Sequence, residues 1–171
     1  MIDFRKILRI AGFWASAMIL SLTLYTPKLS AQDHNIEWRP FEEALQIAEK
    51  KQQVIIVDVW APWCGWCKKM EKQVYPNVSK NLSTRFVWTR LNRDDNSSTI
   101  QFNNQPFSPL RLAQKLNVQN VPALVFLAPN GDYLFHKSGF TEVKTFESIL
   151  SYIASDTYPK RSFENFISTN Q

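Results

Sequence analysis

Hydrophobic and polar residues change period several times along the chain, and each change marks an element. In "PFEEALQIAEKK" (40–51) Phe41, Ala44, Leu45 and Ala48 recur at i, i+3, i+4 and i+7. This spacing predicts an amphipathic helix with Pro40 tolerated at its start. "VIIVDV" (54–59) is a β-branched apolar run of the length of a buried strand, and 64–74 reads as a second helix stopped near Pro76. "RFVWTRL" (85–91) predicts another strand. The following "NRDDNSSTIQFNNQPFS" is polar and too long for a tight connection, so 92–108 is expected to be an inserted loop. Ser108 and Pro109 then open a short helix carrying Leu112, Ala113 and Leu116, and "ALVFLA" with "YLFHK" around "PNGD" gives a hairpin signal. A last helix over 142–154 is expected to bury Val143, Phe146, Leu150 and Ile153, and the tail 155–171 to add a short terminal helix. Helix, strand, helix, strand, helix, strand, strand, helix is an α/β order. It predicts a central mixed sheet flanked by helices on both faces.

The first 31 residues follow a different logic. A basic patch (Arg5, Lys6, Arg9) leads into the apolar stretch Ile10–Tyr25, a break at Pro27 and "KLSA". This is the order of a secretory signal peptide, with cleavage expected after Ala31 although Leu29 is large for its position. The apolar stretch has 16 residues, short of the ~20 of a bilayer-spanning helix. An uncleaved membrane anchor is the alternative. The expected division is therefore 1–31 as signal and 32–171 as one domain.

Charge and composition narrow the functional classes. The chain of 171 residues carries a formal charge of +5, but removal of residues 1–31 takes away four basic residues and one acidic residue and leaves +2. The remainder has no charged block suited to nucleic acid. Its supply of tryptophan and phenylalanine can build a core without disulfide staples.

The chemistry is concentrated in "VDVWAPWCGWCKK" (57–69), which holds the only two cysteines, Cys64 and Cys67. A bridge closing so small a loop stabilises a fold little through chain entropy, so a purely structural disulfide is disfavoured. Two thiolates are soft ligands for zinc or copper(I), yet His34 and His136 have no metal-like spacing to the pair, and no metal or other cofactor is expected. The third reading is a working dithiol. A cysteine at a helix N-terminus is favoured as thiolate, and a second one turn further in can resolve a mixed disulfide formed at the first. Asp58 stands in an otherwise apolar strand, where desolvation raises a carboxyl pKa and suits it to moving protons. Trp60 is expected in the core, whereas Trp63 and Trp66 can offer apolar contact area to a partner. A non-enzymatic binding module remains a rival reading that the intact cysteine pair opposes.

"VDVWAPWCGWCKKM", then "NVQNVPALVFLAPNG" and "SGF", resembles the thioredoxin superfamily in order and interval. Within it, "CGxCKK", the polar insertion and the spacing of the tail are similar to exported SoxW-like proteins. The resemblance implies a thioredoxin-like fold and thiol:disulfide oxidoreductase activity, more in the reducing than the oxidising direction. It implies Cys64 as nucleophile, Cys67 as resolving thiol and Asp58 as the acid beneath them. It also implies a cis bond before Pro122, with the Val121 backbone free to pair with an extended substrate. The implied partners are exported proteins bearing disulfides or thiols and a membrane electron donor, served by a monomer. Gly65 and Trp66 stand where thioredoxin itself has Gly-Pro.

Overall fold

A computed structural model describes residues 36–155 together with Tyr158, Ser162, Asn165 and Ser168. The expected signal segment 1–31, and most of the tail 155–171 in which a short terminal helix is expected, lie outside the described residues.

Among the described residues, seven strands and five α-helices follow one another: β1 (Trp38–Arg39), α1 (Phe41–Lys51), β2 (Ile55–Trp60), α2 (Gly65–Gln73), a 3-10 turn (Tyr75–Asn77), α3 (Lys80–Ser83), β3 (Val87–Asn92), β4 (Ile100–Phe102), β5 (Gln105–Phe107), α4 (Pro109–Lys115), β6 (Ala123–Leu127), β7 (Tyr133–Ser138) and α5 (Val143–Ile153). Five strands form the main sheet in the order β1-β3-β2-β6-β7. β1 and β2 run parallel to β3, while β6 is antiparallel to both β2 and β7. The sheet is mixed, as the element order predicts.

Period two along β2 explains why its run is apolar on both faces save for Asp58. Ile55, Val57 and Val59 face α1 and α4, where Phe41, Ala44, Ala48, Leu112 and Leu116 complete one core. Ile56 faces the other way, toward Met70, Val74, Tyr75, Phe146 and Leu150 from α2, the 3-10 turn and α5. Both faces of the strand are covered, so both need apolar side chains. Asp58 sits on this second face, and its cross-strand partner is Arg90. Val143, expected in the core, is only half-buried at the start of α5.

The segment 92–108 departs from the expected polar loop. β4 and β5 pair antiparallel as a hairpin, with Phe102 opposite Gln105. The turn residues Asn103 and Asn104 both have positive φ, 52° and 60°, which matches the twist of a two-residue hairpin loop. Phe102 is buried against Phe41 with ring centroids 5.7 Å apart, and the Gln101 N–H donates to Glu42 Oε1 at 2.9 Å. The insertion therefore contributes to the α1 core. β1 also escaped the sequence pattern, because two residues are too few to show a period.

Candidate active site

The dithiol lies where β2 gives way to α2. After Trp60 the chain turns tightly, the Cys64 N–H donating to Ala61 O at 3.0 Å, and Cys64 becomes the N-cap of the helix. Cys64 and Cys67 are joined in a disulfide with an S–S distance of 2.03 Å. The Cys67 N–H donates to Cys64 Sγ at 3.1 Å, so a free backbone donor of the first helical turn is aimed at this sulfur. Such donors favour a thiolate over a thiol. Both cysteines are buried with Ala61, and Trp60 and Val121 pack against them.

Val121 comes from a distant part of the chain. The antiparallel pairing of β6 with β2 sets Ala123 opposite Val59, which brings the residues just before β6 alongside the end of β2. The Val121–Pro122 peptide bond is cis.

Of the three tryptophans near the cysteines, Trp60 alone departs from expectation. Trp63, just before Cys64, and Trp66, between the two cysteines, are exposed at 66% and 57%. The Trp63 indole Nε1 donates to Asp94 Oδ2 at 2.5 Å. The Trp66 ring lies 5.3 Å from that of Phe140, and the Lys69 ammonium sits 5.0 Å and 4.7 Å from the two ring centroids. Trp60, placed in the core by sequence reasoning, is half-buried, with the Arg90 guanidinium 4.8 Å from its ring centroid.

Asp58 is 1% exposed and belongs to a charged cluster that the sequence did not reveal. Arg90 Nε donates to Asp58 Oδ2 at 3.0 Å, and Arg90 Nη1 donates to Glu71 Oε1 at the same distance. The guanidinium is flanked by Trp38 and Trp60, 5.0 Å and 4.8 Å from their ring centroids. Burial raises the Asp58 carboxyl above the ordinary aspartate value, against the lowering effect of Arg90 and Tyr75. Burial likewise holds the Tyr75 hydroxyl protonated well beyond the usual tyrosine range. The signal for Arg90 was its place in a strand of alternating pattern, but only the register Asp58↔Arg90 shows what it meets. Phe140 closes the "SGF" motif, which gave no sign of its contact with Trp66, and Asp94, Glu71 and Tyr75 had no motif to announce them.

Among the described residues no group of three or more His, Cys, Asp or Glu side chains is placed to hold a metal ion, and no helix is long and apolar enough to cross a membrane. Residues 41–154 match the model of a family described as the thioredoxin-like domain, and the chain belongs to that family. It is similar to the thiol:disulfide interchange protein DsbD of Pseudoalteromonas atlantica, 28% identical over 63% of this chain and 20% of that protein. The DsbD of Pectobacterium atrosepticum is 28% identical over 85% of this chain and 25% of its own length. The chain thus spans a quarter or less of these two relatives. A thioredoxin of Bacillus subtilis is 25% identical over 61% of this chain and 86% of that protein. Among solved structures, a thioredoxin from Thermus thermophilus superposes with a TM-score of 0.56 at 21% identity, over 72% of this chain and 91% of that one. A thioredoxin-fold protein from Helicobacter pylori gives 0.56 at 19% identity, over 70% and 80%. Both place this chain in the thioredoxin fold.

Proposed function

We propose that this chain is an exported thiol:disulfide oxidoreductase that reduces protein disulfides through Cys64 and Cys67. The observation that carries the reading is the pair itself: a disulfide at the N-terminus of α2, with Val121 packed beside it and two exposed tryptophans around it. In the reduced protein the Cys64 thiolate attacks a partner disulfide, forming a mixed disulfide and expelling one partner thiolate. Asp58 takes the proton of Cys67, whose thiolate then attacks Cys64 Sγ. This step releases the second partner thiol and forms the Cys64–Cys67 bond, so two electrons have passed to the partner. The Val121 backbone pairs with the extended partner, and Trp63 and Trp66 supply the apolar rim. No cofactor enters.

The buried Asp58 beside a thioredoxin-like sheet favours the reducing direction, in which a membrane electron donor restores the dithiol. Relatives named as thiol:disulfide interchange proteins support the same chemistry. The basic, apolar and small-residue order of 1–31 and the SoxW-like pattern support export to the periplasm, where a monomer would meet disulfide-bearing partners. Equilibration of the Cys64/Cys67 couple against glutathione tests the direction. A couple more reducing than glutathione is expected, and one markedly more oxidising overturns it. Mass spectrometry of the protein from its native compartment is expected to find a chain starting near Gln32.

A further inference from the structure

Among the described residues, three buried side-chain atoms make no hydrogen bond: Asp58 Oδ1, Tyr75 Oη and Thr89 Oγ1. Thr89 is adjacent to Arg90 in β3 and therefore belongs to the opposite face of the sheet. The other two share the α2 face of the sheet, for the Tyr75 ring and the Arg90 guanidinium that donates to Asp58 both pack on Trp38, 5.3 Å and 5.0 Å from its ring, and the hydroxyl lowers the proton affinity of the carboxyl. A buried polar atom without a partner costs free energy, and one hydrogen bond between these two would satisfy both.

The Tyr75 ring is not free to leave. It meets Trp38, Trp88 and Phe146 edge-on, with centroids 5.3, 6.5 and 6.3 Å away. The hydroxyl can still rotate about its C–O bond. Cys67, Glu71 and Tyr75 are spaced four residues apart, so the resolving thiol, the second acceptor of Arg90 and the hydroxyl form a column along α2 and its extension.

We propose that Tyr75 is a positioning residue for the dithiol reaction, its hydroxyl donating to Asp58 Oδ1 while Asp58 is ionised and turning away once Asp58 is protonated. The inference rests on the reading of Asp58 as acceptor of the Cys67 proton. Arg90 holds Oδ2 throughout, and Tyr75 meets the charge that Arg90 does not reach. The charged and titratable groups around the carboxyl are few. Arg90 faces it from β3, Glu71 from α2 through Arg90, and Tyr75 from the 3-10 turn. β6 places the apolar Leu124 opposite it, and Lys137 lies one strand further, bonded to Ser138 O. The Cys67 thiol joins this group on reduction. A hydroxyl held protonated by burial is a donor at every working pH.

Tyr75→Phe removes the hydroxyl and keeps the ring. Carboxyl NMR of labelled Asp58 in the full chain, oxidised and reduced, is expected to show its titration midpoint moved upward in the variant. Release of a partner from the mixed disulfide is expected to slow roughly three- to tenfold at neutral pH, with KM unchanged. In an Asp58→Asn background the same substitution is expected to change nothing. An unmoved Asp58 midpoint, or an equal slowing without Asp58, overturns the proposal. The NMR titration needs no substrate, so it stands or falls apart from the oxidoreductase reading. Should Tyr75→Phe fail to fold, 3-fluorotyrosine at position 75 keeps the ring and is a stronger donor. It is expected to move the midpoint downward, and no movement overturns the proposal equally.

Discussion

Phe102 meets Phe41 edge-on at 5.7 Å, and this contact ties the insertion between β3 and α4 to the first helix. Phe102→Ala therefore leaves a cavity in the core and not a bare patch of loop. Denaturant unfolding is expected to show a loss of about 3 kcal/mol, while dithiothreitol-driven turnover at low temperature stays near that of the parent. A loss within a few tenths of a kcal/mol would return the insertion to the status of a dispensable loop.

Asp58 makes stability depend on pH in an unusual sense. Burial raises its carboxyl above the ordinary aspartate value, so the folded state holds the proton more tightly than the unfolded state does. Its contribution is full below the ordinary value and is lost as pH rises through the folded one. Asp58→Asn cannot undergo this loss. Calorimetry of the oxidised protein from about pH 4 to about pH 8 should find the Tm of the variant rising relative to the parent across that window. A gap independent of pH counts against it.

Much of this was legible in the sequence. The period of 3.6 in 41–48 and the β-branched run at 54–59 gave α1 and β2 because each element is buried along a face that its own residues define. The cysteine turn was legible because Cys64, Gly65 and Cys67 are local to one another. Phe102 was not: its neighbours are polar, and only the Asn103–Asn104 turn, which sends β5 back along β4, makes it a core residue. Arg90 and Tyr75, and the contact that Phe140 of "SGF" makes with Trp66, were hidden for a related reason. What each does depends on strand register or on the packing of α2, and neither is written within a short window.

The bond from Trp63 Nε1 to Asp94 Oδ2 fixes one wall of the cysteine turn by a residue that follows β3. Asp94→Ala frees the indole without touching either sulfur. For a protein disulfide, kcat/KM is expected to fall roughly two- to fivefold, with the rate of reduction by dithiothreitol unchanged. Equal changes in both would show a general disturbance of the turn.

The order of the two thiols can be read from trapped complexes. Cys67→Ser leaves a mixed disulfide at Cys64 with no internal thiol to release it, so covalent complexes with partners should accumulate and disappear on reduction. Cys64→Ser should trap none. Equal trapping by both variants would exchange the roles assigned to the two sulfurs.

Because β6 runs antiparallel to β2, with Ala123 opposite Val59, Val121 reaches the dithiol only after a segment far down the chain has docked. Chains are made from the N-terminus onward, so Cys64 and Cys67 emerge while that segment does not yet exist. Through this interval the thiols are able to react but lack the backbone that would select what they react with. On the proposed reading, in which the Val121 backbone pairs with the partner, this part of the discrimination between partners is acquired at the moment the sheet closes around β6. A polypeptide stalled or clipped short of that strand would carry a reactive pair without the backbone edge proposed to select its target.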